Sequence, residues 1–103
     1  MDWPNLIKTA TARVTPYIRQ TPVVTFETRT VTQPVTLKLE QLQHAGSFKT
    51  RGAFNTLLGT EPPAAGLVAA SGGNHGAAVA YAAQRLGFPA RVYVPEIAGP
   101  AKI

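Results

Sequence analysis

The chain has 103 residues, of which 45% are hydrophobic, and its ten Lys and Arg residues against five Asp and Glu residues give a net charge of +5. This length fits one small domain or part of a larger one, and the composition is that of a globular protein rather than a disordered one. The basic residues are scattered, without the polybasic stripe of a nucleic-acid-binding protein, so a small anionic partner is the simpler explanation of the charge. Cysteine is absent, which excludes disulfide bonds and thiolate chemistry.

No segment has the pattern of a secretion signal or of a membrane span. Residues 1–4 (MDWP) lack the charged and apolar regions of a signal peptide. No apolar run approaches the length needed to cross a bilayer. We therefore expect a cytoplasmic protein that binds neither membranes nor nucleic acids.

The first half of the chain predicts two helices with two short strands between them. Asp2 can cap the first helix, and Pro16 is expected to end it, because proline disfavours helical geometry in the residue before it. Gly59 is expected to end the second helix. The predicted elements are a helix over 4–14, strands over 23–26 and 35–39, a loop over 44–49 and a helix over 50–58.

The last third of the chain predicts a β-loop-α-β unit, with a strand over residues 66–70, a Gly-rich turn over 71–76, an Ala-rich helix over 77–86 and a strand over 90–94. The apolar first strand is typical of a buried parallel strand. Such a unit is the building block of a doubly wound sheet. The predicted fold class is therefore α/β, with an open, doubly wound parallel sheet.

Residues 100–102 (PAK) predict the first turn of another helix just where the sequence stops. A domain rarely ends where a helix begins. We therefore expect residues 1–103 to be the N-terminal portion of a larger domain whose remainder is missing.

Lys49 lies at the junction of the predicted loop and the second helix, within residues 46–53 (GSFKTRGA). A lysine at such a junction can be held rigidly with its amine in a cleft. Partial desolvation there makes a lysine a nucleophile, a Schiff-base former or a general base. The alternative is a solvated surface lysine, since lysine is rarely buried.

The Gly-rich turn over residues 71–76 (SGGNHG) follows a strand and opens a helix. Backbone N–H groups in such a turn approach a ligand closely, and a helix N-terminus favours an anion such as a carboxylate or a phosphate. The alternative is a tight turn in which Asn74 caps the helix. His75 has no second ligand at metal-binding spacing, so no metal site is predicted.

Together these segments resemble the fold type II pyridoxal-phosphate enzymes. Residues 38–40 (KLE) with residues 46–53 resemble the family's cofactor-lysine motif, and residues 70–76 (ASGGNHG) resemble its substrate-carboxylate loop. Residues 21–22 (TP) match an early element of the family, so the resemblance covers nearly the whole chain in register. It implies the tryptophan synthase β-like architecture, incomplete in this chain, and pyridoxal 5'-phosphate as the cofactor.

The resemblance implies a role for each matching position. Lys49 would carry the cofactor as an imine and would then shuttle the substrate's α-proton. Phe48 would pack against the cofactor ring, and Asn74 would hydrogen-bond the cofactor's phenolic oxygen. The residues that would surround the substrate carboxylate, largely through backbone N–H groups, are Ser71, Gly73, Asn74 and His75.

Within the family, residues 46–53 resemble the serine/threonine dehydratase branch, because threonine and cysteine synthases more often have Asp where this chain has Thr50. The implied reaction removes water and ammonia from L-threonine or L-serine to give a 2-keto acid. Gly72 stands where many relatives have a second serine, whose hydroxyl in serine racemases serves the opposite face of the cofactor. Because glycine cannot deliver a proton, this position argues against racemisation.

The family's Gly-rich phosphate-binding loop and its residue facing the pyridine nitrogen lie downstream of the segments matched here. We therefore expect the isolated 103 residues to be inactive. The resemblance further implies that the protein that contains them is a homo-oligomer with a small amino-acid substrate. Two alternatives stay open. One is another activity on the same scaffold, such as threonine synthase or a diamino-acid lyase, and the other is a non-catalytic module that binds an amino acid or a partner.

Overall fold

The computed structural model describes residues 1–100, which contain three α-helices and four β-strands. Short 3-10 helices lie between α1 and β1 and between β2 and α2. The predicted order of elements is confirmed, and the helix predicted to begin at residues 100–102 falls largely outside the described residues. The elements are α1 (Trp3–Val14), β1 (Val23–Phe26), β2 (Val35–Lys38), α2 (Lys49–Leu58), β3 (Leu67–Ala70), α3 (Asn74–Leu86) and β4 (Ala90–Tyr93).

Helix α1 ends at the predicted residue and begins one residue earlier than predicted, at Trp3, directly after Asp2. The Asp2 carboxylate accepts a hydrogen bond from the Asn5 N–H at 3.3 Å, which satisfies one free donor of the first turn. The helix ends at Val14, two residues before Pro16. Val14 is also the buried residue of α1, so the helix joins the core by its C-terminal end.

Strands β1 and β2 form an antiparallel ribbon in which Val23 pairs with Lys38. β2 ends at Lys38 rather than at the predicted Leu39, although the Leu39 N–H still donates to the Pro22 carbonyl at 2.9 Å. All four residues of β1 are exposed. The ribbon therefore adds little to the core and leads the chain into the segment before α2.

Strands β3 and β4 are parallel neighbours connected by α3, which confirms the β-loop-α-β unit and the α/β fold class. The prediction that β3 is buried is wrong for most of the strand, since Ala69 is buried but Val68 is 74% exposed. Side chains alternate across a strand, and α3 packs against this sheet on the face opposite Val68. The face that carries Val68 is therefore open.

Helices α2 and α3 both begin earlier than predicted, at Lys49 and at Asn74. The first turn of α3 is too polar to extend the apolar periodicity that defined the predicted helix. The interpretation of Asn74 as the cap is wrong, because the Gly73 carbonyl accepts the first helical bond, from the Ala77 N–H at 3.2 Å. Gly87, in the left-handed region at φ 77°, closes α3 as predicted.

The core lies between α2 and α3. Phe54 is fully buried, with its ring stacked on Tyr17 at 5.2 Å between centroids and set edge-on to Tyr81 at 6.0 Å. Helix α3 offers the small, fully buried side chains Ala78 and Ala82, which let the two helices approach closely. This packing fixes the N-terminal turn of α2 relative to α3.

The chain is less compact than a typical domain of its length. Its radius of gyration is 16.4 Å, whereas a compact domain of about 100 residues has about 13 Å. Its principal extents are 52 × 39 × 25 Å.

Candidate functional site

Lys49 is the first residue of α2, and two side-chain contacts hold the backbone around it. The Ser47 hydroxyl accepts a hydrogen bond from the Lys49 N–H at 3.3 Å. The hydroxyl of Thr50, which is fully buried, donates to the His44 carbonyl at 2.5 Å. The lysine therefore leaves the helix from a turn that is tied to the preceding loop.

The Lys49 side chain lines a cleft of about 470 Å³ between α2 and α3. The cleft walls are mainly apolar and include Ala53 and Val79. The lysine is exposed, and within residues 1–100 its ammonium group has no hydrogen-bond or ion-pair partner. An amine in this position is available to bond a ligand in the cleft.

The Gly-rich turn between β3 and α3 is held closely against β4. The Ser71 N–H donates to the Tyr93 carbonyl at 2.9 Å, and the Ser71 hydroxyl accepts the Gly73 N–H at 3.2 Å. A Cβ atom at Gly76 would lie 2.9 Å from Val92 Cγ1, which is closer than real carbon contacts allow. Glycine at position 76 therefore lets α3 approach the sheet.

The structure brings three of the predicted site residues together along one cleft. Phe48, Lys49 and His75 line the same cleft. Ser71 lines a second depression, at the carboxyl ends of β3 and β4. The predicted residues that line neither of these two surfaces are Gly73 and Asn74. A single site formed by all six residues stays a prediction.

The polar cluster around Glu40 is a feature that the sequence indicated only as part of a motif. Glu40 Oε1 accepts hydrogen bonds from Arg51 Nη2 at 2.7 Å, from Arg51 Nε at 3.1 Å and from the Thr21 hydroxyl at 2.9 Å. Lys38 Nζ lies 3.3 Å from the same oxygen and donates to the Thr21 hydroxyl at 2.6 Å. Sequence reasoning missed the cluster because its members come from three separate segments, and the available signal was the KLE sequence at residues 38–40.

Two groups near the lysine turn have shifted pKa values. Hydrogen bonds from Arg51 lower the pKa of Glu40 from its ordinary 4.5 to about 2, although burial of the carboxyl group opposes the shift. Burial lowers the pKa of His44 below its ordinary 6.5, and the positive charges of Arg19 and Arg85 act in the same direction. Glu40 is therefore a carboxylate throughout the physiological range, and His44 favours its neutral form.

Residues 1–100 hold no group of three or more His, Cys, Asp or Glu side chains arranged to bind a metal ion. None of the helices in that range combines the length and the apolar character needed to span a membrane.

The sequence pattern of the family described as pyridoxal-phosphate dependent enzyme matches residues 14–103. A phenylserine dehydratase of Ralstonia pickettii is 46% identical over 99 residues, which cover 89% of this chain and 29% of the relative. A catabolic L-threonine dehydratase of Staphylococcus aureus is 43% identical over 101 residues, which cover 93% of this chain and 29% of the relative. The chain thus spans less than a third of the length of these relatives.

Solved structures include a similar fold in the serine racemase of maize. The two chains superpose with a TM-score of 0.85 and 38% sequence identity, over 95% of this chain and 31% of the racemase. The structural likeness, like the sequence likeness, thus covers most of this chain. The structural neighbour is a racemase, whereas the two sequence relatives are dehydratases.

Proposed function

Because the chain belongs to the pyridoxal-phosphate dependent enzymes of fold type II, we propose that it forms the lysine-bearing part of an ammonia-lyase acting on L-threonine or L-serine. The observation that carries the proposal is Lys49, an exposed amine at a cleft, without a partner in residues 1–100 and inside the GSFKTRGA sequence. Pyridoxal phosphate is the cofactor of this family. The likeness to two dehydratases supports elimination as the reaction.

The cleft fits an aromatic cofactor attached to a lysine. Its volume of about 470 Å³ lies within the range of roughly 300–1,000 Å³ that is usual for ligand sites. Phe48 is 63% exposed at the cleft and offers a flat apolar surface to a ring. Ala53 and Val79 supply further apolar wall, while Lys49 supplies the amine.

Three of the predicted residues have defined tasks toward the cofactor in this proposal. When bound, pyridoxal phosphate supplies an electron sink that acidifies the substrate's α-carbon. Lys49 Nζ would hold the cofactor and, once the substrate's amino group has replaced it there, would take the proton from the substrate's α-carbon. Phe48 packs against the ring, and the Asn74 side chain hydrogen-bonds the phenolic oxygen.

The turn between β3 and α3 binds the substrate carboxylate in this proposal, through Ser71, Gly73, Asn74 and His75. No side chain caps α3, so its N-terminal N–H groups and helix dipole are available to an anion. The Gly73 N–H is the exception, because it donates to the Ser71 hydroxyl. Binding a carboxylate at Gly73 therefore requires that hydroxyl to turn away.

Replacement of Lys49 by alanine in the complete gene product tests the proposal. We expect wild-type protein with pyridoxal phosphate to form a 2-keto acid and ammonia from L-threonine, and Lys49→Ala to lose about 10³-fold or more of that rate, since covalent attachment and proton transfer both disappear. Lys8→Ala, on the exposed face of α1, is the matched control and keeps its rate. Turnover that survives Lys49→Ala would remove Lys49 from the reaction.

The likeness to maize serine racemase favours one second candidate, the racemisation of serine. Gly72 argues against racemisation, because a glycine carries no hydroxyl to deliver a proton. A Cβ atom at Gly72 would lie 3.4 Å from Pro95 Cγ and 3.5 Å from Ala98 Cβ, which are ordinary contacts, so space does not force glycine here. Measuring keto acid and D-serine in one reaction decides between the two, and D-serine as the main product would favour the racemase.

The activity of the whole protein is part of the proposal, because the chain spans 29% of its dehydratase relatives. We take residues 1–103 as the N-terminal portion of a pyridoxal-phosphate dependent catalytic domain. The isolated chain then lacks turnover, and the whole protein takes a small amino acid as substrate and forms a homo-oligomer.

A further inference from the structure

We propose that Glu40 is a positioning residue for Lys49, because it anchors Arg51, in the lysine's own helical turn, to Thr21 and to the end of β2. The inference rests on the proposed function, in which Lys49 attaches the cofactor. It adds a residue that touches neither cofactor nor substrate and acts through the turn that carries the lysine.

The anchor is a set of short polar contacts on one oxygen atom. Arg51 donates to Glu40 Oε1 through two nitrogen atoms, at 2.7 and 3.1 Å. A guanidinium that donates two hydrogen bonds to one carboxylate has little freedom to rotate. The Thr21 hydroxyl donates to the same oxygen at 2.9 Å and accepts from Lys38 Nζ at 2.6 Å. Lys38 Nζ also donates to the Thr21 carbonyl at 3.2 Å, so Lys38 bonds both the backbone and the side chain of Thr21.

The cluster stabilises the fold less well than apolar packing in the same place would. The Glu40 side chain is only 17% exposed, and its Oε2 atom is buried without a hydrogen-bond partner among the described residues. Arg51 and Lys38 are 34% and 46% exposed, but burying a carboxylate with one unpaired oxygen still costs free energy that well-packed apolar side chains would avoid. What the charged cluster provides, and apolar packing would not, is a fixed position for Arg51.

The position of Arg51 decides the position of Lys49 because the two lie in the first turn of α2. Ser47 and Thr50 hold the backbone of that turn at the loop side, through the Lys49 N–H and the His44 carbonyl. Glu40 holds the turn from a third direction. Three anchors on consecutive residues 49–51 leave the lysine's Cα atom little room to shift.

Arg51 also lines the cleft that contains Lys49, so the anchor has a second consequence. With Glu40 in place, the guanidinium is neutralised by an ion pair at 2.7 Å. Without the carboxylate, the guanidinium is free to move into the cleft, where its positive charge and bulk compete with the lysine for the ligand.

The test compares Glu40→Gln with Arg13→Gln in the complete gene product. Arg13 Nη1 donates to Asn55 Oδ1 at 2.8 Å, so Arg13→Gln also removes a side-chain contact to α2, but away from the lysine turn. Each protein is incubated with pyridoxal phosphate well below its unfolding temperature and reduced with borohydride. Peptide mapping gives the labelling rate of Lys49 relative to exposed Lys8, and visible circular dichroism reports the orientation of the bound cofactor.

Glu40→Gln keeps an acceptor oxygen but loses the negative charge, and we expect it to lower the relative labelling rate of Lys49 about ten-fold, the value that corresponds to replacing a charged acceptor by a neutral one. Its visible circular dichroism band should weaken, while Arg13→Gln keeps both signals within about two-fold of wild type. Equal labelling and equal dichroism in Glu40→Gln and wild type would overturn the inference and leave the proposed function intact. Failure of wild-type Lys49 to be labelled would instead overturn the proposed function.

A second pair of variants decides the matter if Glu40→Gln does not fold. Thr21→Val removes the hydroxyl that joins Glu40 to Lys38, and Thr21→Ser keeps it. We expect Thr21→Val to lower Lys49 labelling and Thr21→Ser to restore it. Labelling in Thr21→Val equal to that of wild type overturns the inference.

Discussion

At the scale of residues, Gly76 is the glycine of the Gly-rich turn that packing requires. A Cβ atom there would lie 2.9 Å from Val92 Cγ1 and 3.2 Å from Ser71 Cβ. We expect Gly76→Ala to lower the free energy of unfolding by about 1–3 kcal/mol, the usual cost of overpacking. Urea denaturation of the complete gene product measures it.

Gly52, inside α2, is the matched control for this prediction. A Cβ atom at Gly52 meets nothing within 4 Å. Because alanine favours a helix over glycine by roughly 0.5–1 kcal/mol, Gly52→Ala is expected to stabilise the protein slightly. If Gly76→Ala proved as well tolerated as Gly52→Ala, the close approach of α3 to the sheet would be wrong.

His44 makes stability depend on pH. Its ring stacks on Tyr81 at 4.9 Å between centroids, and burial lowers its pKa in the folded state. As the pH falls through about 6.5, an unfolded histidine takes up a proton while the folded one resists. The stabilisation is therefore present above that pH and is lost progressively below it.

We expect the unfolding temperature to fall when the pH is lowered from about 7.5 to about 5.5, and His44→Phe to reduce that fall. Phenylalanine retains an aromatic ring for the contact with Tyr81 and cannot be protonated. Thermal denaturation of both proteins at the two pH values measures the difference. An identical pH dependence in the variant would show that another group is responsible.

At the scale of elements, the packing of α2 on α3 depends on Phe54. The ring is fully buried and contacts aromatic rings from α3 and from the segment after α1. We expect Phe54→Ala to destabilise the protein by about 3–5 kcal/mol, because it leaves a cavity between the helices. Denaturant unfolding tests the value.

Phe48, 63% exposed at the cleft, is the matched control. Phe48→Ala is expected to change the free energy of unfolding by less than about 0.5 kcal/mol and to weaken cofactor binding instead. Equal destabilisation by the two substitutions would contradict the assignment of Phe54 to the core and Phe48 to the site.

The sequence predicted the elements well where their signals are local. Asp2, Pro16 and Gly87 mark helix ends by their own backbone chemistry, and the structure confirms all three. The start of α3 was missed by three residues because its first turn is polar. The exposure of Val68 could not be read from the sequence either, since an apolar strand looks the same whether one or both faces of its sheet are covered.

The site was predictable in its parts but not in its arrangement. The GSFKTRGA sequence predicted Lys49 as the cofactor lysine, which stays a prediction, and the structure places this residue at a cleft. Lys49 and His75 share one cleft, and Ser71 lines another depression. Both facts follow from the packing of the helices, which no local sequence pattern encodes. The Glu40 cluster likewise depends on contacts between segments 11 to 19 residues apart.

At the scale of the whole molecule, large apolar side chains lie on open surfaces. Val68 and Tyr93 on the β3–β4 sheet are 74% and 55% exposed, and Phe26 on the ribbon is 40% exposed. Together with the radius of gyration of 16.4 Å, this indicates a partial domain whose sheets have uncovered faces. The side-chain contacts that hold residues 49–51 nevertheless all lie within residues 1–100. This chain therefore forms the turn that carries the proposed cofactor lysine.

The most direct test of the account is to identify the lysine that attaches pyridoxal phosphate in the complete gene product. The protein is loaded with the cofactor, reduced with borohydride and digested, and the labelled peptide is identified by mass. The account predicts that the label is found on Lys49, well above the level on Lys8 or Lys38. Label spread evenly over the lysines, or concentrated on a lysine other than Lys49, would contradict it.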